Sequence, residues 1–366
     1  MLVTLRESTT PKAEGCLAPV MKDRTRAFAA AGLTVAIFLV VQLGALALVE
    51  PFQQAGYQQV ENPSDPTNSA VYVVAILVMT AAMLAIIKFE IEWVLRAVII
   101  LTTGLLSWYV FSVVVPPVVT ATVGGAAVNV LAVGAAAAVA LALVVHPEWY
   151  VIDGAGVVIG AGAAGLFGIS FGLLPAILLL GVLAIYDAIS VYGTEHMLTL
   201  ASGVMDLKIP VVLVIPMTLS YSFLDDSAAA EAKEVESVES EDDGSAGAEN
   251  EEKSATPDET DADAERPDPA DRDAIFIGLG DAVMPSVMVA SAAFFAPADS
   301  LVSGIALNLP ALTAMIGTMA GLFVLLWMVL KGRAHAGLPL LNGGAIGGYL
   351  VGALASGMTL LQAVGL

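Results

Sequence analysis

The chain has 366 residues, of which 58% are hydrophobic and 13% charged. That is about half the charge of a soluble domain, which excludes an ordinary water-soluble globule and indicates a polytopic membrane protein. The net charge of −21 is concentrated, because residues 225–273 hold 20 of the 35 acids and 4 of the 14 bases. So acidic a segment argues against nucleic acid or anionic lipid as its partner. The single Cys16 excludes an internal disulfide and a cysteine metal cluster.

In chain order, residues 1–23 are polar and aperiodic and read as a disordered tail, and Met21 is an alternative to Met1 as the start of the chain, since Met21-Lys22-Asp23-Arg24 would open the first helix. A spanning helix needs roughly 20 apolar residues. At that length the sequence predicts an all-α protein of nine spans, at about 27–49, 69–87, 94–115, 123–145, 151–171, 173–193, 274–297, 303–330 and 338–362. The first apolar run is too long for a signal-peptide core of ~7–15 residues. The fifth and sixth runs are separated at Gly172-Leu173-Leu174-Pro175, where proline suits the first turn of a new helix. The eighth is long, and a start after Asn308-Leu309-Pro310 is the alternative to 303. Runs four and five are rich in Ala and Gly, which lets helices approach closely in lipid.

Between the sixth and seventh spans, Pro210–Pro216 is too short to cross. Its Val and Ile content predicts a strand or an interfacial segment. Residues 225–273 are low-complexity and acidic and predict a disordered loop. This divides the chain into 1–23 (tail), 24–224 (helices one to six with an inner extension), 225–273 (acidic loop) and 274–366 (helices seven to nine). The scarce Lys and the Ala, Val, Asp and Glu bias suggest a high-salt cytoplasm.

With nine spans and the N-terminus inside, all 14 Lys and Arg fall on one side: Arg6, Lys12, Lys22, Arg24 and Arg26 in the tail; Lys88 and Arg96 by the second loop; Lys208, Lys233, Lys253, Arg266 and Arg272 in the sixth; Lys331 and Arg333 in the eighth. By the positive-inside rule this orients the N-terminus to the cytoplasm and the C-terminus outside.

Two aspartates lie inside apolar runs, and such residues are costly and face a cavity, a partner or a pathway. Asp187 lies about 8–9 Å from the inner end of span six, and Asp281 about 10 Å from the inner start of span seven, at 1.5 Å per helical residue. The antiparallel spans therefore place both carboxylates at one depth near the cytoplasmic face. Span nine opens there too, with Leu338-Pro339-Leu340-Leu341, and proline cannot continue a helix from upstream. Tyr186 adjoins Asp187 and either donates a hydrogen bond or packs; Gly278 and Gly280 either pack or admit a close neighbour. His146, His196 and His335 have no carboxylate or Cys spacing that makes a metal site and read as interfacial polar residues.

Tyr186-Asp187, Gly278-Leu279-Gly280-Asp281 and the turn Pro339-Leu340-Leu341 resemble the presenilin and signal peptide peptidase family of intramembrane aspartyl proteases, most closely its archaeal presenilin homologues. Ile185–Tyr192, Glu195-His196-Met197 and Val214-Ile215-Pro216 extend the likeness, which runs from about residue 26 to the end. Where the family usually has Pro-Ala-Leu, this chain has Pro339-Leu340-Leu341. The resemblance implies peptide-bond hydrolysis in the cell membrane by Asp187 and Asp281, acting on transmembrane substrates without metal or cofactor. The charge map matches the presenilin orientation. Two like charges at close range do not both ionise cheaply, so one aspartate acts as base on a water and the other, protonated, polarises the carbonyl. An unwound substrate is expected to pair as a strand near Val211–Ile215 or Asp273–Ile277, with Pro339–Leu341 shaping the cleft. The alternative is a proton- or ion-coupled transporter, which paired intramembrane carboxylates also serve.

Overall fold

The computed structural model describes residues 17–89, 92–193, 212–216, 222, 274–329 and 336–366. His196, His335, Val211, Asp273 and the acidic segment 225–273 lie outside these residues.

The described residues form helices and two short antiparallel strand pairs, joined by turns and loops. Helix α1 is Leu17–Gln54, α2 Thr67–Lys88 and α3 Glu92–Val114. Strands β1 (Thr120–Val123) and β2 (Ala126–Asn129) follow, then α4 (Val130–Val145), α5 (Trp149–Ser170) and α6 (Leu173–Gly193). Strand β3 is Val212–Pro216 and β4 is Ala274–Gly278. Helix α7 is Leu279–Phe295, α8 Leu309–Val329, α9 Gly337–Ala355, and a single turn, α10, is Leu360–Ala363. Seven of these helices, α1, α2, α3, α5, α6, α8 and α9, are long and apolar enough to cross a membrane; α4 and α7 are apolar but shorter.

Several expected boundaries move, each for a local reason. Helix α1 begins at Leu17, inside the stretch read as tail, and its Pro19 occupies the first turn, where a missing N–H costs no helical bond. The expected span 123–145 opens instead with the β1–β2 hairpin. Gly124 and Gly125 at its tip have φ of 60° and 88°, the two positive values that a tight two-residue hairpin turn requires. Asn129 then caps α4, its side chain accepting from the Leu131 and Ala132 N–H groups. The expected span 274–297 is a strand followed by a helix, since Ala274–Gly278 pairs with β3 before α7 starts. The expected span 303–330 narrows to α8, which begins at Leu309, two residues before the start expected after Asn308-Leu309-Pro310. The side chain of Asn308 accepts from Ala311 N–H and donates to the Ala292 carbonyl. The expected span 338–362 ends at Ala355, where Gly357 turns the chain at φ 85° and Thr359 and Gln362 form a capping box on α10. The strand expected in Pro210–Pro216 is present as Val212–Pro216.

Helix α7 is the axis of the fold. α1, α5, α6, α8 and α9 all pack against it, and contact on all sides is made possible by small residues: Ala282, Ser286, Ala290, Ser291 and Ala292 are all buried. Gly168 of α5 meets Ala290 so closely that a Cβ at 168 would overlap it. In α8 and α9, Gly317 and Gly321 lie against the backbone of Gly344 and Leu340. Without water to drive apolar association, such close backbone approach supplies the packing energy between membrane helices.

Candidate active site

Asp187 projects from α6, four residues before Val191-Tyr192-Gly193 at the helix end. Its Oδ2 accepts the Leu338 N–H at 3.1 Å. That donor belongs to the first turn of α9, whose leading N–H groups have no intrahelical acceptor. One turn further along, Asn342 Nδ2 donates to the Leu180 carbonyl at 3.1 Å. Helices α6 and α9 are therefore tied at two levels, and the lower tie is the carboxylate itself.

Asp281 sits in the first turn of α7, three residues after the cap Gly278. The sequence placed it about 10 Å along a continuous helix. The structure places it instead at a strand-to-helix junction, because Gly278 ends β4 and Leu279 begins the helix. Pro285, four residues on, lacks the N–H that would reach the Asp281 carbonyl, so the helix opens by one bond at this residue.

The two carboxylates converge on adjacent residues of α9. Asp187 holds Leu338 N–H, and Asp281 Oδ2 lies 3.3 Å from where a Cβ on Gly337 would stand. They lie within electrostatic reach of one another, and both are partly buried. The N-termini of α7 and α9 both point here, and their partial positive charge favours anions within the first turn. Among the described residues no group of three His, Cys, Asp or Glu side chains gathers to hold a metal ion.

The other residues singled out from the sequence divide into two groups. Gly278 lies beside the Asp281 carboxylate, and a Cβ at Gly280 would meet nothing within 4 Å, so Gly280 opens onto space. Pro339 and Leu340 are half-buried at the start of α9, and Leu279 packs onto Gly156 and Gly160 of α5. Tyr186 is 46% exposed, more than a residue sealed against the carboxylates would be. Leu341 is fully buried in a core cluster with Leu213, Ile215, Leu322 and Leu325, so it packs rather than lining a cleft. His146 is exposed at the end of α4, its Nε2 2.8 Å from the Tyr150 hydroxyl.

Sequence reasoning missed a third acid. Asp153 of α5 is 6% exposed, and its Oδ1 accepts the Val214 N–H of β3 at 2.8 Å. The signal was present, since Asp153 also lies in an apolar run, where an acid is costly.

A protein-family model for signal-peptide peptidase and presenilin aspartyl protease matches residues 35–358. Two solved structures, both of a presenilin family intramembrane aspartate protease, are similar to the chain at 31% identity. The one in space group C222 gives a TM-score of 0.58, over 89% of this chain and 99% of that one. The one in P2 gives 0.54, over 88% and 96%. None of the curated proteins matches the chain.

Proposed function

The chain belongs to the signal peptide peptidase and presenilin family, and we propose that Asp187 and Asp281 are the pair with which it cuts peptide bonds inside the bilayer. As a member of that family it is an intramembrane aspartyl protease, a hydrolase of multi-pass membrane architecture whose substrates are transmembrane segments. The transporter alternative has no support from the relatives, which are proteases. One observation carries the assignment of the pair: both carboxylates meet at Gly337-Leu338.

The reaction follows from that meeting. One aspartate, ionised, takes a proton from a water as its oxygen attacks the scissile carbonyl carbon. The other, protonated, gives its proton to the carbonyl oxygen, and a tetrahedral diol forms. The aspartate that took the water's proton passes it to the amide nitrogen, the other takes a proton from a diol hydroxyl, the C–N bond breaks, and the pair is restored with its single shared proton. The absence of a side chain at Gly337 leaves Asp281 room, and the α7 and α9 N-termini stabilise the negative charge that the pair retains.

A helical substrate hides its carbonyls, so it unwinds and adds as a strand. The β3–β4 ladder runs from Val212 opposite Gly278 to Pro216 opposite Ala274. Val214 spends its N–H on Asp153, so it points away from β4. By the antiparallel alternation, Leu213 and Ile215 are then the residues that bond to β4, and Pro216, with no N–H, falls where β4 asks for none. The outer edge of β3 is thus occupied by α5, and the reading favours Ala274–Ile277 over Val212–Ile215 as the substrate's partner. Pro339 and Leu340 border the same space, with Tyr186, Gly278, Leu279 and Gly280 around the carboxylates.

For topology, the reading is nine crossings, with the N-terminus cytoplasmic and the C-terminus outside. Helices α4 and α7 then count as crossings, at about 24–26 Å for 1.5 Å per residue, and the one-sided Lys and Arg distribution supports it. The proposed division keeps the sequence boundaries except at the tail, since α1 already begins at Leu17, and it takes 225–273 as a cytoplasmic acidic loop suited to a salty cell interior of archaeal type. A reporter fused after Leu366 should read out outside the cell, and a cytoplasmic signal overturns the nine-span count.

The decisive test is cleavage of a reconstituted transmembrane substrate. Asp187→Asn and Asp281→Asn should each lose at least about 1,000-fold in rate, since residues that act as one unit fail together. Wild-type cleavage by either variant removes the assignment.

A further inference from the structure

We propose that Asp153 is a positioning residue for the cut, seating the β3–β4 hairpin on α5 so that Asp281 and the substrate strand are held in register; this rests on the protease reading above. Asp153 makes its bond to Val214 across 61 positions of chain, on the strand face that β4 leaves open. Its second oxygen, Oδ2, is buried with no hydrogen-bond partner among the described residues. Around it lie Leu143, Ile152, Ala155 and Val214, an apolar cluster. A buried acid with one donor and an orphaned oxygen is expensive to keep, and the bond to Val214 is what it does there.

A second observation reaches the same hairpin from the same face of α5. Gly156 and Gly160 follow Asp153 at helical spacings of three and seven, which share a face. A Cβ at Gly156 would lie 3.0 Å from Leu213 Cδ2 and 3.7 Å from Leu279 Cδ1. A Cβ at Gly160 would lie 3.3 Å from Leu279 Cδ1 and 3.5 Å from Val283 Cγ2. One α5 face therefore grips β3 by its backbone at Val214 and by the side chain of Leu213, and grips the start of α7 at Leu279 and Val283. Asp281 lies between those last two residues. The ladder closes the connection, because Val212 pairs with Gly278, the cap residue of the helix that carries Asp281. Displacing β3 along its axis moves β4, the substrate strand beside it, and the junction that aims Asp281. The scissile bond presented to the pair changes with it.

The prediction concerns where the substrate is cut as well as how fast. The full chain, reconstituted in vesicles with a transmembrane substrate, is compared as wild type, Asp187→Asn, Asp153→Asn, Asp153→Leu and Gly156→Ala. Initial rates are taken over a range of substrate density, and product masses give the cut positions. Asparagine keeps an acceptor for Val214 N–H and replaces the orphaned oxygen by an amide nitrogen, so Asp153→Asn should stay within about threefold of wild type with the same cuts. Asp153→Leu should lose about tenfold or more in kcat with KM little changed, and its cuts should spread to neighbouring bonds. Gly156→Ala should spread the cuts in the same way with a smaller loss of rate, and it decides the matter if Asp153→Leu does not fold. Unchanged cut positions in a folded Asp153→Leu, or in Gly156→Ala where the leucine variant fails to fold, overturn the proposal. So does an Asp153→Asn as impaired as Asp153→Leu. If wild type and Asp187→Asn cleave alike, the protease pair itself is wrong. If only Asp187→Asn is inactive and Asp153→Leu matches wild type, the pair stands and the positioning role falls.

Discussion

The centre and the rim of this protein are built from the same apolar alphabet, yet 72% of the α5 span is buried inside the protein against 6% of the α2 span. Each region has its own hairpin. At the rim, β1 and β2 are adjacent in sequence and folded by Gly124 and Gly125 alone. At the centre, β3 and β4 are remote in sequence and are held by α5, through Asp153, Gly156 and the fully buried Leu213 and Ile215. The difference teaches that the rim answers to lipid and to local turn chemistry, whereas the centre answers to specific neighbours. Polar groups and glycines at the centre are there for other residues, and changing them should propagate to the site.

The largest break of this contrast is at the centre's carboxylates, where Asp187→Asn or Asp281→Asn should abolish cleavage while circular dichroism shows the helices intact. Next is packing. Gly168→Leu drives a side chain into Ala290 and the α7 backbone, and overpacking of this kind costs about 1–3 kcal/mol or more; thermal unfolding in detergent should show a drop of several degrees, with activity falling in parallel. At the rim, Gly124→Ala with Gly125→Ala forces two alanines into positive φ at about 1–2 kcal/mol each, yet cleavage should stay within about twofold, since the hairpin is far from the pair in the chain of contacts. A loss of activity as large as that of Gly168→Leu would erase the distinction between the regions.

The smallest effect belongs to Asp65, at the exposed start of α2. Its carboxylate accepts from the Thr67 N–H at 2.9 Å, and that bond holds its pKa below the usual 3.8. A carboxylate whose pKa is lowered on folding contributes stability that is present above its unfolded pKa and lost as pH falls through the folded one. Asp65→Ala should therefore melt slightly below wild type at pH 7, with the two converging once the pH is well below 3.8. A difference that persists at low pH would show that Asp65 acts by something other than its charge.

How much was legible follows the same division. Helices α2 and α3 are legible from hydropathy within two residues at each end, because lipid asks only for length and apolarity. Asp187, Asp281 and Pro339 stand out as candidates because polar or helix-breaking residues are anomalous in an apolar run. The strand in Val212–Pro216 was legible from its β-branched residues. What escaped was non-local. Ala274–Gly278 reads as the start of a helix until β3 is beside it, and hydropathy does not say which neighbour a segment will have. That single misreading put Asp281 deep in a helix instead of at its first turn. Asp153 escaped although it is the same anomaly as Asp187, because its partner is a backbone N–H, which carries no side-chain signature. Leu341 was read with the cleft and belongs to the core, because its neighbours Leu213 and Ile215 come from the same non-local hairpin.

The bond from Leu338 to Asp187 has a consequence for the trade between stability and function. Functional carboxylates are commonly a burden on the fold, and replacing them tends to raise its melting point. Asp187 serves as the cap of a helix to which it does not belong, answering an N–H of α9 that no residue of that helix can reach. Asp187→Ala should accordingly yield an enzyme that is inactive and also less durable, by about 1 kcal/mol if the bond is worth an ordinary cap, whereas Asp187→Asn, which keeps an acceptor, should lose activity alone. For this protein the inactive form chosen for trapping substrates is better made with asparagine than with alanine.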